Sequence, residues 1–467
     1  MNPNRTTAVE RYSAVDPARQ ELLAGAIARA RRSELYAKRL SGIEFDGDLT
    51  RLPLTTKADL RDASPFGMLA VPAAQAWHYH ESSGTTGEPI STWCNLPELR
   101  RMAQIVVRMV PELADPTILL NRFPLFAPVS FVFEEVLRQV GACHIAAGNM
   151  TWEVPFDRAL GFISRLGVTA LAALPLEPIL LREVALMQGL DLREIAASLK
   201  VIFAGGAVLP PSMRRVIERD WGVRVVEIYG SNETMLLGVS CKENRLHLCD
   251  ELLEIEILDP VTQAPVPPGS AGILTITSLV HEAMPLVRYS TGDQVALTGE
   301  SCDCGERGPV AAVYGRYEER IEIDGATATA YDVLDAAYEF AERHDTRVFF
   351  VLVRRRGLHL LIEVKDPARA VDAAAERRLA ERIGLPVTVE YLRHNEVLDR
   401  TAMFRTPRIY KPGQIADWRR AGRRPITIME ALLEWPRFDA RTVLRILVRQ
   451  LRNLRRRRRI LAEDRRG

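Results

Sequence analysis

The residues best equipped for chemistry gather at positions 81–89, which read E-S-S-G-T-T-G-E-P. Ser82, Ser83, Gly84, Thr85, Thr86 and Gly87 pack hydroxyls and backbone N–H groups into a small volume with little steric cover. A polyphosphate needs that combination of many donors, close backbone approach and no bulk. The stretch is not the common G-x-x-x-x-G-K-[ST] phosphate loop, and alone it also reads as a solvated turn. A second group comprises Cys241, His247, Cys249, Cys302 and Cys304. Cys302 and Cys304 form a tight thiolate pair on a turn, and Cys241 and His247 form another close pair. Four soft N/S ligands in two pairs suit tetrahedral Zn²⁺. Buried free cysteines beside a hydrogen-bonded histidine are the alternative.

These groups must be carried by regular elements. Apolar runs predict strands at 117–121, 142–146, 170–173, 201–204 and 223–228. Helical periodicity predicts helices between and around them at 98–110, 132–140, 156–166, 178–187 and 211–221. Strands alternating with helices of about 10–15 residues mean βαβ units and a largely parallel sheet. A short strand at 76–80 leads into the Ser/Thr/Gly loop. Gly205, Gly206, Tyr229 and Gly230 fall at strand ends. After Glu233 the texture changes, and 252–258, 272–278 and 294–298 read as short antiparallel strands, as in a small barrel. Beyond Arg316 a smaller α+β unit is expected, with helices at 331–342 and 368–383. The fold class is thus α/β, with expected domains at 1–317 and 318–415 and a helical basic extension at 416–467.

Composition narrows the function classes. The chain has 467 residues, 47% apolar and 26% charged, as in ordinary soluble globular proteins. No window approaches the ~18 uninterrupted apolar residues of a membrane span. The first twenty residues lack a secretory apolar core, so a cytoplasmic location is expected. Six cysteines in a chain of this length do not suggest a disulfide framework. The net charge of +2 hides eleven arginines at 441–467 against Glu463 and Asp464, which leaves the rest mildly acidic. Val443, Leu444, Leu447, Leu451 and Leu454 keep helical spacing in that tail, so it reads as an amphipathic helix. It could meet an anionic surface, or pack in an oligomer such as a homodimer. No nucleic-acid-binding fold accompanies it, so nucleic acid is not an expected partner.

Four separated segments fall in one order. The loop comes first, then Phe203, Ala204, Gly205, Gly206 and Ala207. Tyr229, Gly230, Ser231, Asn232 and Glu233 follow, then Arg288 to Asp293, with Gly315 and Arg316 behind. Together they resemble the adenylate-forming superfamily of acyl-CoA ligases, adenylation domains and luciferases. More narrowly they are similar to its phenylacetate-CoA ligase branch, which includes the deazaflavin-cofactor adenylyltransferase-like proteins. Residues 33–40 and 52–60 (L-P-L-T-T-K-A-D-L), with Trp221 and Gly222, match that branch too. The resemblance covers residues 20–325 or so and weakens over the C-terminal third.

The resemblance implies a large AMP-binding domain and a smaller mobile one. It implies ATP- and Mg²⁺-dependent activation of a carboxylic acid to an acyl-adenylate, with release of pyrophosphate. Acyl transfer to coenzyme A would follow; transfer to an amine, or a non-catalytic nucleotide-binding role, are the alternatives. The residues suit these roles physically. Strand carboxyl ends are where ligands sit in parallel sheets. Gly205, Gly206 and Ala207 let an adenine lie against backbone, and Tyr229, followed by Gly230 and Ser231, offers a ring to stack on it. Glu233 can hold Mg²⁺. Asp293 can accept from ribose hydroxyls, and Arg316 can reach ribose or the α-phosphate. The loop, with Thr85 among the catalytic set, would cradle the β- and γ-phosphates.

The branch also contains members with a zinc site matched by Cys241, His247, Cys302 and Cys304, leaving Cys249 spare or replacing one ligand. Four protein ligands leave no open position, so a structural role is expected. A late catalytic lysine is implied, and Lys411 is the candidate, with Arg405 or Arg408 as substitutes. Two departures stand out: Glu88 sits where many relatives have lysine, and Glu318 takes the hinge position. Phe123, Phe126, Phe131 and Phe133 make the implied acyl-pocket region aromatic, so an aryl or medium apolar acid is expected, although at least two of the four should belong to the core. His80 reads equally as a core histidine or a pocket donor.

Overall fold

In this computed structural model the described residues are 16–82, 88–115, 117–149, 154–398, 414–417 and 419. They form two units, one built from the described residues up to 320 with Thr329–Tyr338, the other from Ile321–Ala328, Glu339–Leu398, 414–417 and 419.

In the first unit, β1 (His78–Glu81) and β2 (Ser91–Cys94) form an antiparallel ribbon. The main sheet begins with β3 (Ile118–Asn121), β4 (Cys143–Ala146), β5 (Ala170–Ala173), β6 (Val201–Gly205) and β7 (Arg224–Tyr229), all parallel. It continues with β8 (Gly238–Ser240), β9 (Leu246–Leu248), β10 (Leu253–Leu258), β11 (Ala271–Ser278), β12 (Tyr289–Leu297) and β13 (Val310–Arg316). Every residue of β5 and β6 is buried, which is why these strands read as unbroken apolar runs. The helices between them are set by local signals. Asn95 and Glu98 form a capping box at the start of Leu96–Met109. Pro128–Val140 and Pro211–Trp221 begin at proline and end at left-handed Gly141 and Gly222.

The strands expected as a barrel-like part are hydrogen-bonded into this same sheet. Its order is β10-β11-β12-β13-β9-β8-β7-β6-β5-β3-β4. The parallel half passes into the antiparallel half at β7 and β8, where Ile228 pairs with Val239. Strand β12 also starts five residues earlier than expected, at Tyr289. Burial alternates regularly through its first half, but the inward positions after Tyr289 are Thr291 and Asp293, polar residues that gave no apolar alternation in the sequence.

A segment near the N-terminus is stitched to the start of β12. Thr55 bridges Tyr289, its N–H donates to the Arg288 carbonyl at 2.9 Å, and its carbonyl accepts from Ser290 at 2.9 Å. The buried Tyr36 hydroxyl donates to Thr55 Oγ1 (3.1 Å) and accepts from the Val287 N–H (2.9 Å). Arg288 adopts φ +43°, and its guanidinium grips both oxygens of Glu256 and the Leu52 carbonyl. This places helix Lys57–Ala63 beside the sheet's functional edge.

In the second unit, β14 (Ile321–Ile323) and β15 (Ala326–Ala328) form a hairpin. A separate sheet orders β16 (Phe349–Arg354), β17 (Gly357–Glu363), β18 (Val387–Leu392) and β19 (Ile415–Asp417) as β18-β17-β16-β19. Helix Ala373–Ile383 closes at left-handed Gly384. Lys411, Arg405, Arg408 and the basic tail lie outside the described residues.

Candidate active site

Two strand ends depend on glycine. A Cβ at Gly205 would lie 2.3 Å from the Ile228 carbonyl oxygen of β7, so no larger residue fits there. Gly206 follows with φ +80°, and both it and Ala207 are exposed, presenting bare backbone at the sheet's carboxyl edge. At Gly230 a Cβ would sit 1.7 Å from the Met235 carbonyl oxygen. That closeness lets residues 230–235 turn tightly, with the Met235 N–H on the Ser231 carbonyl (2.8 Å) and Ser231 Oγ beside Thr234 Oγ1 (3.0 Å).

Three predicted residues meet directly. The Tyr229 hydroxyl donates to Asp293 Oδ2 at 2.7 Å, and Arg316 Nε lies 3.0 Å from Asp293 Oδ1. The pairing of β12 with β13 sets Asp293 opposite Arg316. Arg316 also donates to the Thr291 carbonyl. Asp293 is buried, and burial raises its pKa although Arg316 and the Tyr229 hydroxyl both favour its ionised form. Burial, reinforced by the Asp293 charge, pushes the Tyr229 phenol well above its ordinary value, so it stays a donor. The pinned hydroxyl fixes the plane of the Tyr229 ring. Each Asp293 oxygen keeps a further lone pair for a ligand hydroxyl.

Glu233 is only 5% exposed, and its Oε1 has no hydrogen-bond partner. Lys57 Nζ lies 3.7 Å from that oxygen. A buried carboxylate with an oxygen free of hydrogen bonds is a fitting ligand for Mg²⁺. Lys57 was not among the expected site residues. Its sequence signals are its place in the L-P-L-T-T-K-A-D-L stretch and the rarity of lysine, which the chain has only at 38, 57, 200, 242, 365 and 411.

Ser82 roots the Ser/Thr/Gly loop. Its N–H donates to the Ile90 carbonyl (2.9 Å), and its Oγ accepts from the Ile90 N–H (2.8 Å). One residue earlier, the Glu81 carbonyl accepts from Asn232 Nδ2 at 2.9 Å. This bond ties the loop's root to the turn that carries Glu233; Asn232 lies in the motif read from the sequence but had no role of its own there. Ser83, Gly84, Thr85, Thr86 and Gly87 lie outside the described residues. Glu88 is exposed, and its backbone carbonyl accepts from Arg61 Nε at 3.1 Å.

The second predicted cluster also assembles. The ligand atoms of Cys241, His247, Cys302 and Cys304 all lie within 4.8 Å of one another. Cys249 is buried and is not in the group. Cys241 Sγ and Cys302 Sγ are 3.6 Å apart, and Cys304 Sγ is 3.3 Å from His247 Nε2. Metal–sulfur bonds of ~2.3 Å in a tetrahedron give S···S edges of about 3.8 Å. His247 Nδ1 donates to the Gly308 carbonyl at 2.7 Å, which leaves Nε2 bare and aimed at the thiols. The Glu306 N–H donates to Cys304 Sγ at 3.3 Å. The donor set fits a closed zinc site.

The four phenylalanines divide evenly. Phe123 and Phe133 are buried and stacked at 5.8 Å, and Phe133 meets Phe203 edge-on at 4.9 Å, so both are core. Phe126 is 55% exposed, and Phe131 packs on His78 (3.8 Å) and His80 (5.0 Å).

The AMP-binding enzyme family matches residues 81–279. A phenylacetate-coenzyme A ligase of Thermus thermophilus is 31% identical over 337 residues, spanning 68% of this chain and 73% of that protein. The chain belongs to the phenylacetate-coenzyme A ligase family. This ligase is also 28% identical over 332 residues to the Escherichia coli phenylacetate-coenzyme A ligase, covering 68% and 74% of the two chains. The Aromatoleum evansii relative is 29% identical over 287 residues, 60% of this chain and 63% of that one. Among solved structures, 2-hydroxyisobutyryl-CoA ligase in the postadenylation state aligns with a TM-score of 0.73 at 19% identity, covering 97% and 96%. That likeness shows the fold. The chain is therefore an AMP-forming acid–CoA ligase with the mixed α/β fold of adenylate-forming enzymes.

Proposed function

We propose that this ligase activates an aryl or medium apolar carboxylic acid with ATP and Mg²⁺, then passes the acyl group to coenzyme A. In the first step a carboxylate oxygen bonds to the α-phosphorus and the bond to pyrophosphate breaks. In the second, the thiol sulfur bonds to the acyl carbon and AMP leaves. The observation that carries the acid class is the division of the phenylalanines. Phe126 is exposed and Phe131 is only half-buried at the margin of the core, and both sit with His78 and His80 just past the carboxyl end of β3, where ligands of parallel sheets bind.

The nucleotide half rests on Tyr229, Asp293 and Arg316, whose mutual bonds pre-set a ring face, a ribose acceptor and a cation. Gly206 and Ala207 supply open backbone at the same edge. Glu233 would hold Mg²⁺, which neutralises phosphate charge when bound. Lys57 adds a cation beside it. Cys241, His247, Cys302 and Cys304 would hold one structural Zn²⁺, clamping the β8–β9 turn to the loop before β13. Thr85 and Lys411 keep their proposed catalytic roles.

Acid-dependent pyrophosphate exchange, run over aryl, medium-chain and short polar acids, tests the reading, with thioester formation followed by mass spectrometry. Exchange and thioester are expected with the first two groups. Glu233→Gln should slow exchange by about 10²–10³, the usual loss of a group that stabilises transition-state charge. Exchange confined to short polar acids, or no thioester with any acid, would refute the proposal.

A further inference from the structure

We propose that His80 Nε2 is a hydrogen-bond acceptor for the acid, so that this ligase prefers apolar acids bearing a hydroxyl or amino group over their unsubstituted analogues. This rests on the acid-class reading above and sharpens it.

His80 is 1% exposed. Its Nδ1 lies 3.1 Å from the Phe126 carbonyl oxygen. A carbonyl can only accept, so Nδ1 carries the proton and Nε2 holds the bare lone pair. Burial pushes the imidazole pKa down to about 4, so the ring is neutral in ordinary assay buffers. Nε2 itself is buried and has no hydrogen-bond partner. The ring lies 5.0 Å from Phe131, 5.8 Å from Phe126 and 5.8 Å from His78, centroid to centroid, and the His78 imidazole does not bond to Nε2. Buried polar atoms in native proteins nearly always have partners, and an exception calls for a cause.

The location points to a ligand as that cause. His80 is two residues before Ser82, the root of the phosphate loop, and the carbonyl of the intervening Glu81 is tied to Asn232 beside Glu233. Phe126 follows β3 at the sheet's carboxyl edge. A neutral nitrogen acceptor selects a neutral donor and gains nothing from a second carboxylate. The flanking phenylalanines select an apolar frame for that donor. A site built to pair with a substrate hydroxyl discriminates strongly against the analogue lacking it.

The test uses matched acid pairs, an aryl acid against its hydroxylated and aminated analogues, in pyrophosphate exchange with the full-length protein. The wild type should favour the donor-bearing member by about 10-fold or more in kcat/KM. His80→Leu should bring that ratio towards one with the KM for ATP unchanged, and His80→Gln, which keeps an acceptor, should restore part of it. Equal kcat/KM within each pair for the wild type, or a ratio that survives in His80→Leu, overturns the proposal. So does an effect of His80→Leu confined to the KM for ATP, which would assign the nitrogen to the phosphate loop. If His80→Leu does not fold, the wild-type ratios and His80→Gln decide. Exchange with every aryl acid but no preference sinks the His80 assignment alone; exchange with none sinks the acid-class reading as well.

Discussion

Tyr229→Phe removes one oxygen atom and keeps the ring. The lost hydroxyl donates to Asp293 Oδ2 at 2.7 Å, and both residues are buried. Hydrogen bonds to a charged group are worth about 1.5–3 kcal/mol. Asp293 keeps its pairing with Arg316 Nε at 3.0 Å, so the carboxylate stays in place but loses one of its two anchors. Part of the loss falls on folding stability. The part that concerns ribose binding should raise the KM for ATP by about tenfold, since 1.4 kcal/mol is a factor of ten. At saturating ATP kcat should change little, because the ring proposed to face the nucleotide is kept. The pH dependence gives a second readout. Burial raises the Asp293 pKa, so the folded protein holds that proton to higher pH than the unfolded chain does. Ionising Asp293 therefore costs stability as the pH rises from the unfolded value through the folded one. Ribose binding needs the carboxylate, so kcat/KM for ATP should fall as the pH drops through the raised folded value. The Tyr229 hydroxyl favours the ionised form, so Tyr229→Phe should move this acid limb to higher pH. Pyrophosphate exchange against ATP concentration, at a series of pH values and beside thermal melts, measures all three effects. An unchanged KM for ATP, or an acid limb that moves to lower pH, would refute the role given to this pair.

The remaining predictions concern the loop root, the nearby lysine and the metal. Asn232→Leu should lower kcat/KM for ATP by about tenfold with little change in melting temperature, because one side-chain bond joins the loop root to the Glu233 turn; an unchanged value would show that the bond does not position the loop. Lys57→Met should raise the KM for ATP and weaken its dependence on salt, measured by exchange between low and moderate ionic strength; a salt dependence equal to wild type would rule out a role in phosphate attraction. Cys302→Ser should abolish bound zinc, read by elemental analysis as a fall from one ion per chain. It should also lower the melting temperature, because metal-binding energy in such sites is folding energy, ~10–16 kcal/mol in zinc-finger peptides. Wild-type protein made with ample zinc yet containing none would dismiss the site.

The parts legible in the sequence are those whose signal is local. Ala170–Ala173 and Val201–Gly205 are buried on both faces, so each declares itself as an apolar run. Tyr229, Asp293 and Arg316 could be picked out because they fall in motifs of a recognisable order, Tyr229 and Arg316 at strand ends and Asp293 within β12. Their mutual bonds could not, since Tyr229 and Asp293 are 64 residues apart. The start of β12 was hidden because its inward positions include Thr291 and Asp293, which are polar although buried. Phe131 and Phe133 are two residues apart on one helix, and only the packed structure shows that Phe133 meets Phe203 while Phe131 meets His78. The same holds for Asn232 and Lys57. Their partners, Glu81 and Glu233, are brought near by tertiary contacts that no periodicity encodes.

Lys57 also bears on the unusual Glu88. A lysine at the end of the proposed phosphate loop would bring a cation on a short tether. This chain has an exposed glutamate there, and the neighbouring Arg61 binds the glutamate's backbone carbonyl. The cation beside Glu233 comes instead from residue 57, on a segment held by Tyr36, Thr55 and Arg288. Glu233 and Asp293 are buried carboxylates close enough that the Glu233 charge helps to raise the Asp293 pKa. Two such charges are tolerable only with compensation. Arg316 meets Asp293 and Lys57 meets Glu233, so each acid has its own cation. The two cations differ in grip. Arg316 lies in the strand that pairs with β12, at 3.0 Å from its acid, whereas Lys57 is 42% exposed and reaches Glu233 only at 3.7 Å. A divalent ion at Glu233 would take over the charge compensation there and free the looser of the two, the lysine, for the phosphates.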